Sequence, residues 1–103
     1  MPTVIPSENP LANACTPHIY NVTLGQANTE YPQTLPTNVR KFSIQPRNSS
    51  HVIKMAYESG KSGAEYITID SRSYFEDFIG VSTLVLYMQS PTAGAVVEIV
   101  AWC

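Results

Sequence analysis

The chain has 103 residues, 44% hydrophobic and 14% charged, with eight Pro, five Gly and two Cys; that is enough for one small hydrophobic core and not for two. Charged residues average about 25% of a soluble domain, so a highly charged disordered tail, a coiled coil and a solvated helical bundle are excluded. Six Lys and Arg against eight Asp and Glu give a net charge of −2, which offers no cationic cluster to nucleic acid.

The first stretch is neutral and punctuated by proline. Pro2, Pro6, Pro10, Pro17, Pro32 and Pro36 all precede Thr37, and Glu8 and Glu30 are the charged residues before Arg40. Each Pro removes a backbone donor and fixes φ, so this stretch cannot continue a helix. Residues 1–17 are therefore expected as an extended arm. It is either a loose or edge-covering terminus, or a segment that docks on a neighbouring subunit through Val4 and Ile5. Met1 to Pro6 lacks the basic start and the apolar run of a secretory signal. Synthesis is expected in the cytoplasm, unless a leader is missing from this sequence. No stretch approaches the roughly 20 apolar residues of a membrane span, and no membrane partner is expected. Cys15 and Cys103 lie at opposite ends and are expected as two separate thiols, with a bridge between them as the alternative. Asn21-Val22-Thr23 and Asn48-Ser49-Ser50 match the glycosylation sequon, as chance allows in an Asn- and Ser-rich sequence.

From His18 the pattern turns to period two, and residues 18–103 are expected as one β domain. A first strand runs over Ile19–Leu24 and ends at Gly25. A second covers Val39–Gln45, with Phe42 and Ile44 on one face and Lys41, Ser43 and Gln45 on the other. Pro46 to Ser50 reads as a turn. His51 to Tyr57 alternates again, with Ile53, Met55 and Tyr57 expected inward and Val52, Lys54 and Ala56 outward. Glu58 to Gly63 is the most polar loop, and Tyr66–Ile69 is a short β-branched strand. Ser71 to Phe78 suits one helical turn, a loop or a strand. Val81–Gln89 and Ala95–Trp102 are strongly β-favouring runs around Ser90-Pro91-Thr92-Ala93-Gly94, which predicts a hairpin. On the last run Val97, Ile99 and Ala101 are expected in the core, leaving Val96, Glu98, Val100 and Trp102 outside. Six or seven short strands with closely spaced turns indicate an all-β fold, an antiparallel β-sandwich of jelly-roll or Ig-like type.

The inventory for chemistry is nearly empty. His18 and His51 have no Cys, Asp or Glu at ligand spacing, so no metal is expected. Cys15 lies three residues from His18 but in the arm, where no geometry is preorganised. Glu76 and Asp77 are adjacent, which on a strand sends them to opposite faces rather than to one bond. With Asp70 they lack the spacing of a Ca²⁺ loop and read as a solvated acidic loop. Gly60-Lys61-Ser62 lacks the earlier glycine of a phosphate loop, since position 55 is Met. No enzyme, cofactor or metal is expected.

Aromatic residues carry more of the signal. Phe78 and Tyr87 are assigned to the core. Tyr74, Phe75 and Trp102 are expected as exposed anchors of the kind enriched at interfaces.

The segments Leu35-Pro36, Arg40–Gln45, Tyr66–Ile69, Ser73–Asp77 and Leu84 through Trp102 resemble those of a family of small virion structural proteins of tailed bacteriophages and prophages. The resemblance spans residues 35–102 and rests on strand–turn–strand motifs. It implies a capsid-associated β-sandwich, a decoration or cement protein on the capsid surface of the virion whose partner is the major capsid protein. It brings no catalytic residues. A neutral arm that orders on binding, repeated weak contacts on a lattice, and an apolar outer face near Val96, Val100 and Trp102 all suit a small homo-oligomer, trimer or dimer, that clamps capsid subunits. Two alternatives stand beside it: a carbohydrate-binding or receptor-adhesion sandwich that stacks sugars on Trp102, Tyr74 and Phe75, and a neck or tail subunit.

Overall fold

A computed structural model describes residues 16–37, 39–70, 74–79 and 83–102. Eight strands occur among them: β1 His18–Leu24, β2 Tyr31–Thr34, β3 Lys41–Pro46, β4 Ile53–Ala56, β5 Ile67–Ile69, β6 Phe75–Phe78, β7 Val85–Gln89 and β8 Ala95–Trp102. They form two antiparallel four-stranded sheets, in the orders β1-β8-β3-β6 and β2-β7-β4-β5. No helix occurs among the described residues. Val4, Ile5, Cys15 and Cys103 lie outside the described residues, as do the expected arm up to Cys15 and any Cys15–Cys103 bridge.

Period two explains which residues fill the space between the sheets. On β8, Ala95, Val97, Ile99 and Ala101 are fully buried and the intervening residues are not. Phe42 and Ile44 of β3 face them in register, Phe42 opposite Ala101 and Ile44 opposite Ile99. The second sheet contributes Ile53 and Met55 from β4, Ile69 from β5, and Leu86 and Met88 from β7 to the same cluster. Leu35 and Val39 close it from the β2–β3 connection. Within this one sheet the large Phe42 ring stands beside the small Ala101, which leaves room for side chains of the other layer.

The chain departs from the sequence expectations at several places, each for a physical reason. The described residues form eight strands rather than six or seven, because Tyr31–Thr34 is one despite Pro32. This strand lies at a sheet edge and pairs with β7 alone, where a missing donor costs no ladder bond. Phe75–Phe78 is a strand too, paired with β3. Tyr87 is not core. It takes the outward phase of β7 between the fully buried Leu86 and Met88. Tyr57 lies past the end of β4 and is 42% exposed, while Ala56 is buried at 5%. Ala56 does keep the outward phase, opposite Tyr87. The following loop folds over that side of the sheet, with Ser62 bonded to Gln89 of β7, and covers it.

The expected terminal hairpin is absent: β7 and β8 belong to different sheets. Both sides of β8 are already taken by β1 and β3, and both sides of β7 by β2 and β4. The Ser90–Gly94 turn instead crosses between the layers. Gly94 adopts φ +80° and donates its N–H to Leu24 O at 2.8 Å, and Asn28 donates to Ser90 O at 2.7 Å. The buried Ser90 Oγ accepts from Thr92 N at 3.1 Å. This turn is tied to the β1–β2 connection, not to a ladder of its own. Among successive strands, β4 and β5 are the pair that stay neighbours in one sheet.

Candidate functional site

The outer face of the β1-β8-β3-β6 sheet gathers most of the described candidate residues. Val96, Val100 and Trp102 share the outward phase of β8 and are half-buried. The register sets Ile19 of β1 opposite Val100 on one side and Ser43 of β3 on the other. Ile19 is 68% exposed and is the most open large apolar side chain described. The sequence reading missed it, although the alternation Ile19, Asn21, Thr23 against Tyr20, Val22, Leu24 places it outward.

Polar groups pin this face. Glu98 sits between Val96 and Val100 and accepts from Gln45 Nε2 and from Arg47 Nε, each at 3.0 Å. The Gln45 bond and then the Arg47 bond outweigh partial burial and hold its carboxyl below the ordinary range. Lys41 Nζ lies 5.3 Å from the centre of the Trp102 ring and 3.2 Å from Glu76 Oε2. An ammonium over an indole is a favourable contact, so Lys41 covers part of the Trp102 ring. Ile19, Asn21, Ser43, Gln45, Glu98 and Val100 line a shallow depression of about 250 Å³. The arrangement can bind a complementary surface.

The other candidates separate. Tyr74 is 62% exposed just before β6, on the far edge of the same sheet. Phe75 is not an exposed anchor: it is half-buried and packs on Phe42 with ring centres 6.2 Å apart. Its phase explains this, because it pairs with the inward-facing Ile44. Glu76 and Asp77 diverge as their adjacency demands, Glu76 opposite Ser43 and Asp77 opposite Phe42. Asp77 accepts from Tyr57 Oη at 2.8 Å, and the Tyr57 ring meets Phe42 edge-on at 6.2 Å. Burial, and then the bond to Asp77 and its charge, push the Tyr57 hydroxyl well above its usual value. This bond joins the end of β4 to β6 of the opposite sheet. Tyr57→Phe is expected to cost about 1–2 kcal/mol, as for a partly exposed hydrogen bond to a charged group. Urea unfolding of the two proteins at pH 7 measures it.

Two further places carry polar atoms. Arg47, Asn48, Ser49, His51, Gly94 and Val96 line a depression of about 510 Å³ at one end of the molecule. His51 Nδ1 is buried there without a hydrogen-bond partner, sealed from solvent and so from anything seated in the depression. The loop that reads as the most polar in the sequence is clamped. Glu30 accepts from Gly60 N at 2.8 Å, Ser62 N at 3.1 Å and Ser62 Oγ at 2.5 Å. Ser62 is fully buried and its Oγ accepts from Gln89 Nε2 at 3.0 Å. Gly60 makes this geometry reachable with φ +81°. The sequence signal was faint: Glu30 is an isolated carboxylate in a neutral stretch, 32 residues from its partner.

Among the described residues no group of three or more His, Cys, Asp or Glu is placed to hold a metal ion, and no helix is long and apolar enough to cross a membrane. No family model matches the chain, and no curated protein matches it. Among solved structures, a de novo designed double-stranded β-helix determined by solution NMR is similar in fold. The likeness has a TM-score of 0.53 and 10% sequence identity, and covers 86% of this chain and 100% of that one. At that identity it bears on the fold alone.

Proposed function

We propose that this protein is a non-enzymatic structural protein of a tailed-phage virion: a capsid decoration or cement protein that sits on the shell and bridges major capsid subunits, itself a dimer or trimer. We also assign its two sheets to a β-sandwich of jelly-roll type. The strand orders β1-β8-β3-β6 and β2-β7-β4-β5 support that assignment, since seven strand-to-strand connections include one within a sheet and the rest cross between sheets. Jelly rolls serve as viral capsid domains, and equally as lectins and enzymes, so the fold leaves the role open.

The observation that carries the role is the outer face of the first sheet. Ile19, Val96, Val100 and Trp102 present apolar surface on rigid strands, with Lys41–Glu76 and Arg47–Glu98 ion pairs beside it. A buried aromatic anchor in a polar surround is how protein partners are held. A face without a deep cleft suits a partner of the same scale. Of the three rings that a sugar-binding reading needs, Phe75 is packed on Phe42.

The test is co-sedimentation with capsid shells that lack this protein. Wild type is expected to saturate at a fixed ratio to capsid subunits, and Val100→Asp or Trp102→Ala to weaken binding about tenfold or more while keeping a cooperative thermal transition. Absence of binding at saturating protein, or binding indifferent to both changes, would reject the role.

A further inference from the structure

Among the described residues each sheet ends in two edge strands, and an unprotected edge is a template for another strand. Three of the four edges carry a recognised safeguard. β2 contains Pro32, β5 is three residues long, and β6 carries Glu76 and Asp77. β1 has none of these. It spans seven residues, His-Ile-Tyr-Asn-Val-Thr-Leu, with no Lys, Arg, Asp, Glu or Pro, and most of it is exposed. Every second backbone N–H and C=O of such a strand faces away from its neighbour β8. A long, uncharged, β-favouring edge is the kind that natural proteins cover.

We propose that the open edge of β1 takes residues 3–11 of a second copy as an added strand. The phase of the prolines selects this segment. Pro2, Pro6 and Pro10 recur at i, i+4 and i+8, so in an extended strand their missing donors all point to one side. Thr3, Ile5, Ser7, Asn9 and Leu11 point their N–H groups to the other side and supply a full set of donors to β1. The prolines then lie on the new outer edge, where they are tolerated and where they block further pairing. The exposed Ile19 gains an apolar neighbour from Ile5 or Leu11 across the added ladder.

A second copy is favoured over the same chain by the residues that would have to turn. Between Leu11 and His18 there is no Gly, and Asn13 is the one residue that readily tolerates a left-handed turn. Pro17 keeps Thr16 extended, which carries the chain straight out of β1. Six residues reach about 20 Å, enough to span to a neighbour. The exchange rests on the bridging role proposed above and names its physical basis: each copy gives a strand and receives one.

Proline scanning by phase tests this on the pure full-length protein. Wild type is expected to have a light-scattering mass that is a multiple of 11.3 kDa, with slow hydrogen exchange along β1. Ser7→Pro removes a donor on the β1 side; it is expected to give a monomer whose β1 amides exchange about tenfold faster or more. Glu8→Pro changes the opposite phase and is expected to keep both mass and protection. Ile5→Pro repeats the first change if Ser7→Pro lowers the melting temperature. Equal effects at positions 7 and 8 would overturn the proposal. So would a wild-type monomer with β1 protected, which means pairing within one chain, or an assembly that survives Ser7→Pro, which means β1 pairing with itself. A monomer that still saturates capsids would reject the exchange and spare the cement role. An oligomer built this way that ignores capsids would do the reverse.

Discussion

Phe42→Ala is expected to lower the free energy of unfolding by about 3–5 kcal/mol, a fall of roughly 12 °C or more in Tm for a domain of this size. Phe42 is fully buried at the middle of β3, with β8 on one side and β6 on the other. Its ring meets Phe75 and Tyr57 and lies opposite Ala101 and Asp77 in the two ladders. The cavity left by Ala has poor means of collapse. Ala101 is too small to move in, Phe75 is fixed in the β6 ladder, and Tyr57 is tied to Asp77. Ile99→Ala, one pair further along β8, is expected to cost about 2–5 kcal/mol. Val100→Ala on the outer face should stay under about 1 kcal/mol. Total stability of a domain this small is about 5–15 kcal/mol, so the first change removes a large share. Urea midpoints at unchanged m-value measure all three. Near-neutral results at Phe42 and Ile99 with a large loss at Val100 would mean the inner and outer faces are reversed.

That face assignment is legible in the sequence, and the reason is local. Period two fixes which side of a strand a residue takes, so Phe42 and Ile44, Ile53 and Met55, and Val97, Ile99 and Ala101 read correctly as buried. Period two does not say which sheet a strand joins. A Pro- and Gly-bearing turn has the same composition whether it closes a hairpin or crosses between layers. The Ser90–Gly94 turn is settled by bonds to Leu24 and Asn28, more than 60 residues away in sequence. Phase also fails where a strand stops. Tyr57 points inward, its ring against Phe42, but stands past the end of β4 and is 42% exposed, and the outward Ala56 is covered by a loop whose fold depends on Glu30. At the candidate face, Val96, Val100 and Trp102 were legible because Glu98 marks that side of β8 as solvated. Ile19 was not singled out, since nothing local distinguishes an edge strand from a central one.

The clamp on Ser62 is where a distant contact has the largest effect. Glu30→Ala is expected to destabilise by about 2–4 kcal/mol, because it strips the acceptor from the Gly60 and Ser62 N–H groups and from a buried hydroxyl. It also frees the 57–65 loop from the outer side of β4 and β7, so amide exchange in that loop should accelerate more than in β8. The pH dependence separates charge from packing. Burial alone would raise the Glu30 carboxyl, but the Ser62 side-chain bond and the Gly60 and Ser62 backbone bonds together hold it below its ordinary 4.5. Its folded value is thus lower than its unfolded one, and the unfolded chain takes up the proton first as pH falls. The stabilisation is complete above about pH 4.5 and is lost as pH drops through the lower folded value. Glu98 shifts in the same direction through Gln45 and Arg47, so wild-type stability should decline on the acid side from both groups. Glu30→Gln removes one of the two contributions. Urea melts from pH 7 to pH 3 should show wild type more stable than Glu30→Gln at neutral pH, with the gap closing below about pH 4.5. A gap that stays constant to pH 3 would mean that Glu30 holds the loop by shape, its charge contributing nothing.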